Sequence, residues 1–391
     1  MLVLGMISGT SQDGIDTAVV DFTDGDDGRL TARIVDTASV PYDAELRFRL
    51  ERALPPQPCT ADELCRLDTL VGQAFAAAAA DAAERVGGVD LIASHGQTVF
   101  HWVDGGRALG TLQIGQPAWL AERVGAPVVS DLRSRDVAAG GHGAPLVPIL
   151  DEFLLAGVGG TAAALNLGGI ANMTVVTPGR PSLAYDLGPA NALIDAVVRD
   201  RGIGKFGYDA DGRIAAAGRV DENLLTRFLA DPYYAEPAPK STGKEYFHLG
   251  HVEQILAGQE VSDHDLVATL TRLTAQVVAA ELVAAGVERV FASGGGVRNP
   301  VLMATLAELA PGVRIGHSDE LGVPADDKEA IAFALMGWCS WHGLPGNVTA
   351  ATGATGARVL GSLTPGRGPL RLPEPRESLP GVQFTATEEG R

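Results

Sequence analysis

A glycine-rich segment near the start of the chain carries groups suited to holding phosphate. Residues 5–16 read GMISGTSQDGID and lie between two apolar runs, MLVLGMI and TAVVDF, that predict strands. Because glycine has no side chain, the backbone amides of such a loop can approach an anion closely. The groups concerned are the amides of Gly9, Thr10, Ser11 and Gly14 and the carboxylates of Asp13 and Asp16. The loop therefore predicts phosphate binding, although a tight hairpin turn has the same composition.

Two later segments contain glycine turns that could also face a nucleotide. In LNLGGIANMT, Gly168 and Gly169 present backbone donors at a turn. In SGGGVRNP, the run Gly294–Gly296 follows a buried strand and can bring backbone flat against a sugar and a base. A structural turn explains the first segment nearly as well, and close helix packing explains the second equally well.

Asp186 is the candidate for acid–base chemistry. In AYDLGPANALIDA it stands at the end of a predicted strand, just before a helix whose start is marked by Pro189. The positive end of that helix dipole favours an ionised carboxylate, which suits a general base or a group that organises a metal ion. An ordinary turn at a strand end remains the alternative.

The other polar clusters carry weaker signals. DDKEAIAF places three acidic residues, among them Glu329, at a helix start, where acidic residues are common because of the helix dipole. His95, His101 and His142 show no spacing typical of metal ligands, so no zinc site is predicted.

Composition limits the classes of function. With 391 residues, of which 46% are hydrophobic, the chain can form two domains with a cleft between them. A net charge of -18 disfavours nucleic acid and anionic membranes as partners, because long-range repulsion opposes each encounter. Three cysteines without metal-ligand spacing indicate a reduced, cytoplasmic environment, and neither an export signal nor a membrane span is predicted.

The order of predicted elements indicates two similar halves of an α/β protein. Strands at Leu2–Ile7, Thr17–Phe22 and Leu30–Val40 predict an antiparallel meander, and a helix follows at about Thr60–Arg85. After residue 160 a strand, a glycine turn and two further strands recur. We expect domains at residues 1–140 and 141–363, and a solvated tail rich in Pro, Gly and Glu at residues 364–391.

Seven segments together resemble one family, the anhydro-N-acetylmuramic acid kinases. They are GMISGTSQDGID, ASHGQTVFH, SDLRSRDVAAGG with GAPLVP, LNLGGIANMT, DLGPANALID, PKSTGKEYF and SGGGVRNPVLM, in the family's order from Gly5 to Gly361. The family belongs to the superfamily of sugar and acetate kinases, actin and heat-shock ATPases. The resemblance therefore implies two duplicated actin-like ATPase (ribonuclease H-like) domains, with mixed sheets that flank an ATP cleft.

The resemblance also implies a reaction. ATP and water convert 1,6-anhydro-N-acetylmuramic acid to N-acetylmuramic acid 6-phosphate and ADP, a step in peptidoglycan recycling. The anhydro bond is cleaved, and the freed O6 is phosphorylated. ATP and Mg²⁺ are the implied cofactors, and a cytoplasmic homodimer is the implied assembly. Two rivals stay open: a plain amino-sugar kinase, in which Asp186 deprotonates a sugar hydroxyl, and an ATP-driven conformational switch protein.

The family's motifs carry roles over to residues of this chain. Asp186 matches the base that activates water, and Asp13 or Asp16 could orient the waters of Mg²⁺. The implied ATP-binding residues are Gly9, Thr10, Ser11, Gln12, Asp13, Gly14, Ile15, Asp16, Gly168, Gly169, Gly294, Gly295 and Gly296. The implied substrate-binding residues are His95, Arg133, Asn191 and Glu329. The chain departs from the family's usual pattern at His142, Leu187 and Ala190, which puts substrate affinity in question more than reaction type.

Overall fold

Strands and helices alternate along most of the chain. The structure is a computed structural model that describes residues 1–9, 12, 14–54, 57–238 and 240–385. The strands are β1 (Leu2–Ser8), β2 (Gly14–Asp24), β3 (Leu30–Pro41), β4 (Leu91–Asp104), β5 (Arg107–Ile114), β6 (Val128–Ser130), β7 (Ala162–Leu167), β8 (Ile170–Val176), β9 (Leu183–Pro189), β10 (Arg289–Ser293), β11 (Arg314–His317), β12 (Ser362–Thr364) and β13 (Val382–Thr385). The helices are α1 (Ala44–Ala53), α2 (Ala61–Val86), α3 (Pro117–Val124), α4 (Ser134–Ala138), α5 (Pro148–Leu155), α6 (Ala192–Asp200), α7 (Arg213–Ala217), α8 (Glu222–Leu229), α9 (Leu249–Leu256), α10 (Asp263–Ala284), α11 (Pro300–Leu309), α12 (Lys328–Trp341) and α13 (Thr349–Thr352). Short 3-10 helices lie at Ala210–Gly212, Pro232–Ala235, Gly295–Arg298 and Ser318–Leu321.

The first of two structural units contains Met1–Leu154 and the segment that begins at Leu321. Its sheet has the strand order β12-β6-β4-β1-β2-β3-β13, and β5 pairs with β4. Strands β1, β2 and β3 form the predicted antiparallel meander, whereas β4 runs parallel to both β1 and β6. The prediction of a meander is confirmed.

Alternate side chains of β1 serve two apolar cores on the two faces of this sheet. Leu4 and Met6 pack with the apolar face of α2, and Val3 and Ile7 pack with α12. A β-carbon at Gly5 would lie 2.0 Å from the carbonyl oxygen of Ala330, so only glycine allows α12 to pack this closely on the strand. This packing fixes the first turn of α12, which carries candidate site residues.

The second unit, Leu155–Glu320, repeats the plan of the first. Its sheet has the order β11-β10-β7-β8-β9, in which β7, β8 and β9 are antiparallel and β10 is parallel to both β7 and β11. Three antiparallel strands followed by two parallel strands are therefore common to both units. The predicted α/β class with mixed sheets in two similar halves is confirmed.

Helix α10 is the one described helix with the length and apolar composition to cross a membrane. In the structure, 72% of its apolar window is buried. It packs against α6, α7, α8, α11 and β9 inside the second unit. Its hydrophobicity is therefore explained by a place in the core of that unit.

The two units differ from the predicted domain ranges of 1–140, 141–363 and 364–391. The chain returns to the first unit at Leu321, because α12 is buried on nearly all sides and needs the cover of β1, β2 and β4. The region predicted as a solvated tail also contributes a strand, since β13 pairs in parallel with β3. Apolar periodicity predicts such a helix or strand, but it does not tell which sheet will cover it.

Candidate active site

Asp186 lies on β9 in the second unit, and only one of its carboxylate oxygens is held. Oδ2 accepts hydrogen bonds from Ser241 Oγ at 2.9 Å and from the backbone amide of Thr242 at 3.0 Å. Oδ1 accepts no hydrogen bond from the described residues. Burial raises the pKa of Asp186, the two donors oppose that shift, and the charge of Glu245 adds to it. A fixed carboxylate with one available oxygen is suited to accept a proton.

The surroundings of Asp186 differ from those that the sequence predicts. Strand β9 continues through Pro189, and α6 begins only at Ala192, so Asp186 is not at the start of a helix. The predicted stabilisation by a helix dipole is therefore wrong. Its place is taken by donors that lie 55 and 56 residues further along the chain.

A buried ion pair anchors the segment that supplies these donors. Lys240 Nζ lies 3.1 Å from Glu281 Oε1 and 3.3 Å from the carbonyl oxygen of Tyr233, and the Lys240 side chain is only 2% exposed. The Tyr233 hydroxyl in turn donates to the main-chain oxygen of Asp186 at 2.8 Å. Because a buried ammonium is costly unless it is paired, this contact fixes residue 240 and with it Ser241 and Thr242.

In the turn between β7 and β8, the carbonyl groups of Gly168 and Gly169 accept hydrogen bonds, whereas their amide groups are available as donors. The Gly168 carbonyl accepts from the Asn191 amide at 3.0 Å, and the Gly169 carbonyl accepts from the amides of Ala190 and Ala192 at 2.9 Å each. Asn191 Nδ2 also donates to the carbonyls of Leu167 and Gly168. Among the described residues, the N–H groups of Gly168 and Gly169 have no acceptor. The turn therefore offers two donors, as the sequence predicts.

The three glycines after β10 have two different surroundings. A β-carbon at Gly294 or Gly296 would lie within 3.0 Å of Leu167 atoms, so both positions allow close packing on the end of β7. Gly295 has open space around it and lines a pocket of about 340 Å³ in the second unit. Close packing therefore accounts for Gly294 and Gly296, whereas a nucleotide contact at Gly295 stays a prediction.

Asp195 is a pocket residue that sequence reasoning missed. It lies in the first turn of α6 and lines the same pocket of about 340 Å³ as Gly295, Asn191 and Tyr208. Burial raises the pKa of Asp195 to about 6, while the charges of Arg199 and Lys244 oppose that shift. The acidic residue in ANALIDA was the only signal in the sequence, and it does not stand out from ordinary first-turn carboxylates.

In the first unit, Arg133 and His95 form a supporting pair. Arg133 Nε donates to His95 Nε2 at 2.7 Å, which requires that nitrogen to be an acceptor. The proton is therefore on Nδ1, which donates to the Gly96 carbonyl at 2.9 Å. Burial, and then the charge of Arg133, lower the pKa of His95 well below its usual range, so the ring is neutral. His95 uses both ring nitrogens within the protein, and it also lines a pocket of about 460 Å³.

Arg133 keeps donors available for a ligand. Its Nη1 donates to the Gly143 carbonyl at 2.7 Å, while its Nη2 has no acceptor among the described residues. Burial lowers the pKa of Arg133 to about 10, against the opposing charges of Glu329 and Asp136, so the guanidinium stays charged at neutral pH. Arg133 thus carries the positive charge of the pair that it forms with His95.

Glu329 stands at the start of α12, and its neighbour Lys328 holds this end of the helix in place. Lys328 Nζ lies 2.6 Å from Asp151 Oδ1 on α5, and both side chains are buried. Burial raises the pKa of Glu329, the charge of Arg133 opposes this shift, and the charge of Asp16 adds to it. The Glu329 residue nevertheless keeps solvent-exposed surface, through which a ligand can reach it.

The first glycine loop is described only in part. Thr10, Ser11 and Asp13 lie outside the described residues. Gln97 supports the loop from β4, because its side chain accepts from Ser8 Oγ at 2.6 Å and donates to the Gly9 carbonyl at 3.1 Å. Residues 95–98 are therefore part of strand β4, which lies beside the glycine loop.

Other predicted residues of this loop have roles within the fold. Gln12 is buried, with a positive φ of 54°. A β-carbon at Gly14 would lie 2.6 Å from the Val40 carbonyl. Ile15 is a core residue, 1% exposed, so only its backbone is available to a ligand. Asp16 on β2 is partly exposed. Of the two carboxylates predicted to orient the waters of Mg²⁺, Asp13 and Asp16, it is the one among the described residues.

The described part of the chain shows no metal-binding cluster, and its divergent residues make contacts within the protein. No group of three or more His, Cys, Asp or Glu side chains is placed to hold a metal ion there. Leu187 and Ala190 are core residues, 0% and 1% exposed, so their side chains do not face a ligand pocket. His142 binds the carbonyl of Thr352 through its backbone amide at 2.7 Å.

Comparison with known proteins finds similarity over nearly the whole chain. The family model described as anhydro-N-acetylmuramic acid kinase matches residues 1–366. The anhydro-N-acetylmuramic acid kinase of Streptomyces coelicolor is 54% identical over 386 residues, which cover 98% of each chain. The protein of the same name from Rhodococcus erythropolis is 52% identical over 377 residues, which cover 94% of each chain. Among solved structures, a ROK family glucokinase from Streptomyces griseus in complex with glucose and AMPPNP is 16% identical, with a TM-score of 0.38, and the match covers 86% of this chain and 99% of that one.

Proposed function

Since the chain belongs to the anhydro-N-acetylmuramic acid kinase family, we propose that Asp186 is the base of the family's reaction. The enzyme uses ATP to open the 1,6-anhydro ring of 1,6-anhydro-N-acetylmuramic acid and to phosphorylate O6. The products are N-acetylmuramic acid 6-phosphate and ADP. The observation that supports the role of Asp186 is its carboxylate, which is held through Oδ2 and available through Oδ1.

The reaction joins a hydrolysis to a phosphoryl transfer. A water oxygen attacks the anomeric carbon while Asp186 accepts a proton from that water. The bond between the anomeric carbon and O6 breaks, and its electron pair stays on O6. O6 then bonds to the γ-phosphorus of ATP, whose bond to the β-γ bridging oxygen breaks to release ADP. Inverting hydrolysis of an acetal usually needs a second carboxylic acid for the leaving oxygen, but here the phosphoryl group captures that oxygen.

Two features of the second unit fit ATP. The carbonyls of Gly168 and Gly169 are occupied while their amides have no acceptor among the described residues, so these amides are suited to phosphate oxygens. The pocket of about 340 Å³ at Gly295 has the size of a small-molecule site, and its wall includes the aromatic ring of Tyr208. We propose that this pocket holds the nucleoside and that the Gly168–Gly169 turn holds phosphate.

Mg²⁺ fits the donor chemistry at Asp16. This ion prefers oxygen ligands and keeps several waters, so one or two carboxylates are enough to hold it beside phosphates. Asp16 is partly exposed, and its charge reaches Glu329. We propose Asp16, with Asp13, as the residues that hold the hydrated ion. When bound, Mg²⁺ neutralises charge on the transferring phosphoryl group.

Arg133 and Glu329 are proposed to bind the sugar. The Nη2 donors of Arg133 suit carboxylate or carbonyl oxygens of the substrate, and the exposed Glu329 suits its hydroxyl groups. His95 holds the guanidinium through Arg133 Nε, and Asn191 holds the glycine turn. We therefore assign positioning roles to His95 and Asn191 in place of direct contact with substrate.

Heavy-oxygen water tests this reaction against a plain amino-sugar kinase. The enzyme is incubated with ATP, Mg²⁺ and 1,6-anhydro-N-acetylmuramic acid in H₂¹⁸O, and the products are analysed by mass spectrometry. We expect one label on the anomeric carbon and none on the phosphate. Unlabelled N-acetylmuramic acid 6-phosphate in the same water measures spontaneous exchange.

Each other outcome contradicts the proposal. A phosphorylated product that retains the anhydro ring and carries no label would identify a plain kinase. An absence of sugar-dependent ADP release would remove the sugar from the reaction. We also propose a cytoplasmic homodimer, and sedimentation of a single monomeric species at micromolar concentration would contradict it.

A further inference from the structure

The four lysines of the chain fall into two groups. Lys240 and Lys328 are buried, and each forms an ion pair with a carboxylate of its own unit. Lys205 and Lys244 are exposed, and the ammonium group of Lys205 lies 5.3 Å from the centre of the Phe206 ring. Lys244 forms neither a hydrogen bond nor an ion pair with any described residue. Its charge acts on Asp195 through space, but among the described residues no hydrogen bond or ion pair occupies its ammonium group.

Lys244 lies directly on the glycine turn between β7 and β8. A β-carbon at position 169 would be 2.6 Å from Lys244 Cε and 3.4 Å from its Nζ. Any residue other than glycine would therefore displace the lysine side chain. The absence of a side chain at Gly169 brings an ammonium group next to the two amides that have no acceptor among the described residues.

Two amides and one ammonium make a site for an oxyanion. The carbonyls of Gly168 and Gly169 already accept hydrogen bonds from residues 190–192, so the turn presents donors and no competing acceptor. Lysine binds phosphate as a point charge, and backbone amides add directed hydrogen bonds. A protein with a net charge of -18 needs such local positive charge to hold a polyanion.

We propose that Lys244, together with the amides of Gly168 and Gly169, binds the terminal phosphates of ATP. The proposal deepens the proposed function and rests on it for the identity of the nucleotide. Lys244 belongs to the same segment as Ser241 and Thr242, which hold Asp186. One segment, anchored by Lys240, thus serves both the base and the phosphate.

Nucleotide binding without turnover tests the proposal. Calorimetry measures the affinities of the full-length protein for ATP and for adenosine, without sugar, in wild type, Lys244→Met and Lys244→Arg. We expect Lys244→Met to weaken ATP binding by about 10- to 100-fold, the range of a hydrogen bond to a charged group, and to leave adenosine binding unchanged. Lys244→Arg should restore most of the loss. Lys205→Met, which removes the other exposed lysine of this unit, should bind as wild type.

The other outcomes overturn either this proposal or the proposed function, and they distinguish the two. An equal loss of adenosine and ATP affinity in Lys244→Met would show a distorted pocket. Normal ATP affinity in Lys244→Met, with a loss of affinity in a separate titration with 1,6-anhydro-N-acetylmuramic acid, would assign Lys244 to the carboxylate of the sugar. If Lys244→Met binds ATP normally while wild type phosphorylates the anhydro sugar, this inference alone fails. If Lys244→Met loses ATP affinity but wild type does not act on that sugar, the proposed function alone fails.

Discussion

Two aspartates, one in each unit, accept hydrogen bonds from neighbouring segments, but they differ in how their oxygens are used. Asp136 in the first unit is 0% exposed, and both of its oxygens are occupied. Oδ1 accepts from Asn347 Nδ2 at 2.6 Å and Thr352 Oγ1 at 2.7 Å, and Oδ2 accepts from the Gly143 amide at 2.8 Å. Asp186 receives both of its hydrogen bonds at Oδ2. The number of donors is therefore a poor guide to function, and their distribution over the two oxygens is a better one.

Because both oxygens of Asp136 are occupied, this carboxylate contributes by holding other groups in position. Asp136 joins the loop at Gly143 to a segment more than 200 residues further along the chain. The carbonyl of the same Gly143 accepts from Arg133, which in turn donates to His95. Asp136 thus holds a chain of hydrogen bonds that ends at the guanidinium proposed to bind sugar. In the described part of the chain, no group donates a hydrogen bond to Oδ1 of Asp186, so that oxygen is available for chemistry.

Replacing Asp186 should produce the largest effect on catalysis. In Asp186→Asn the side chain keeps its shape, and its amide oxygen can still accept from Ser241 and Thr242, but it cannot accept a proton from water. We expect kcat to fall by about 10²- to 10⁴-fold, the usual contribution of one positioned base. Sugar-dependent ADP release measures this, and calorimetry should show that ATP binding is retained. Wild-type turnover in this variant would remove Asp186 from the role of base.

Replacing Asp136 should mainly lower the stability of the protein, whereas replacing Asp186 should mainly lower turnover. In Asp136→Asn an amide donor faces groups that are themselves donors, so at least one buried N–H or O–H loses its acceptor. We expect the free energy of unfolding to fall by about 3 kcal/mol. All four tryptophans, Trp102, Trp119, Trp338 and Trp341, lie in the first unit, so their fluorescence during urea unfolding reports on it.

The two asparagine variants are matched controls for each other. Asp186→Asn should change stability little, and Asp136→Asn should lose less turnover per folded molecule than Asp186→Asn. If Asp136→Asn is as stable as wild type, the buried network does not hold the first unit together. If both variants lose turnover equally at full stability, the distinction between the two carboxylates is wrong.

Local sequence patterns predict much of the fold. The meander of β1, β2 and β3 follows from short apolar runs joined by turns, and α2 at Ala61–Val86 lies within one residue of the predicted helix at Thr60–Arg85. The recurrence of strand, glycine turn and two strands predicts the second sheet. The return of α12 to the first unit was not predictable, because its apolar residues match either sheet.

The candidate site was less predictable because its contacts join distant parts of the chain. The residue types at Gly168, Gly169 and Asp186 indicate chemistry, and the family resemblance suggests their roles. The sequence does not show that Ser241 and Thr242 are the donors to Asp186, or that Lys240 pairs with Glu281. The motif PKSTGKEYF was the available signal, without a partner assigned to it. For His95 and Asn191, only the structure shows that their donors and acceptors are used within the protein.

The smallest predicted effect concerns pH and tests how Asp186 is tuned. The hydrogen bond from Ser241 stabilises the ionised carboxylate and thereby lowers the pKa of Asp186 against the raising effect of burial. Removing it in Ser241→Ala should raise the pKa of Asp186 further, so the base is protonated up to a higher pH. We expect the acidic limb of the profile of kcat/KM against pH to move to higher pH by about half a unit to one unit. Activity should fall several-fold below the limb and stay near wild type well above it, and Ser241→Thr, which keeps the hydroxyl, should restore the wild-type profile. A limb that stays in place in Ser241→Ala would mean that the group titrating in the profile is not the carboxylate that Ser241 holds.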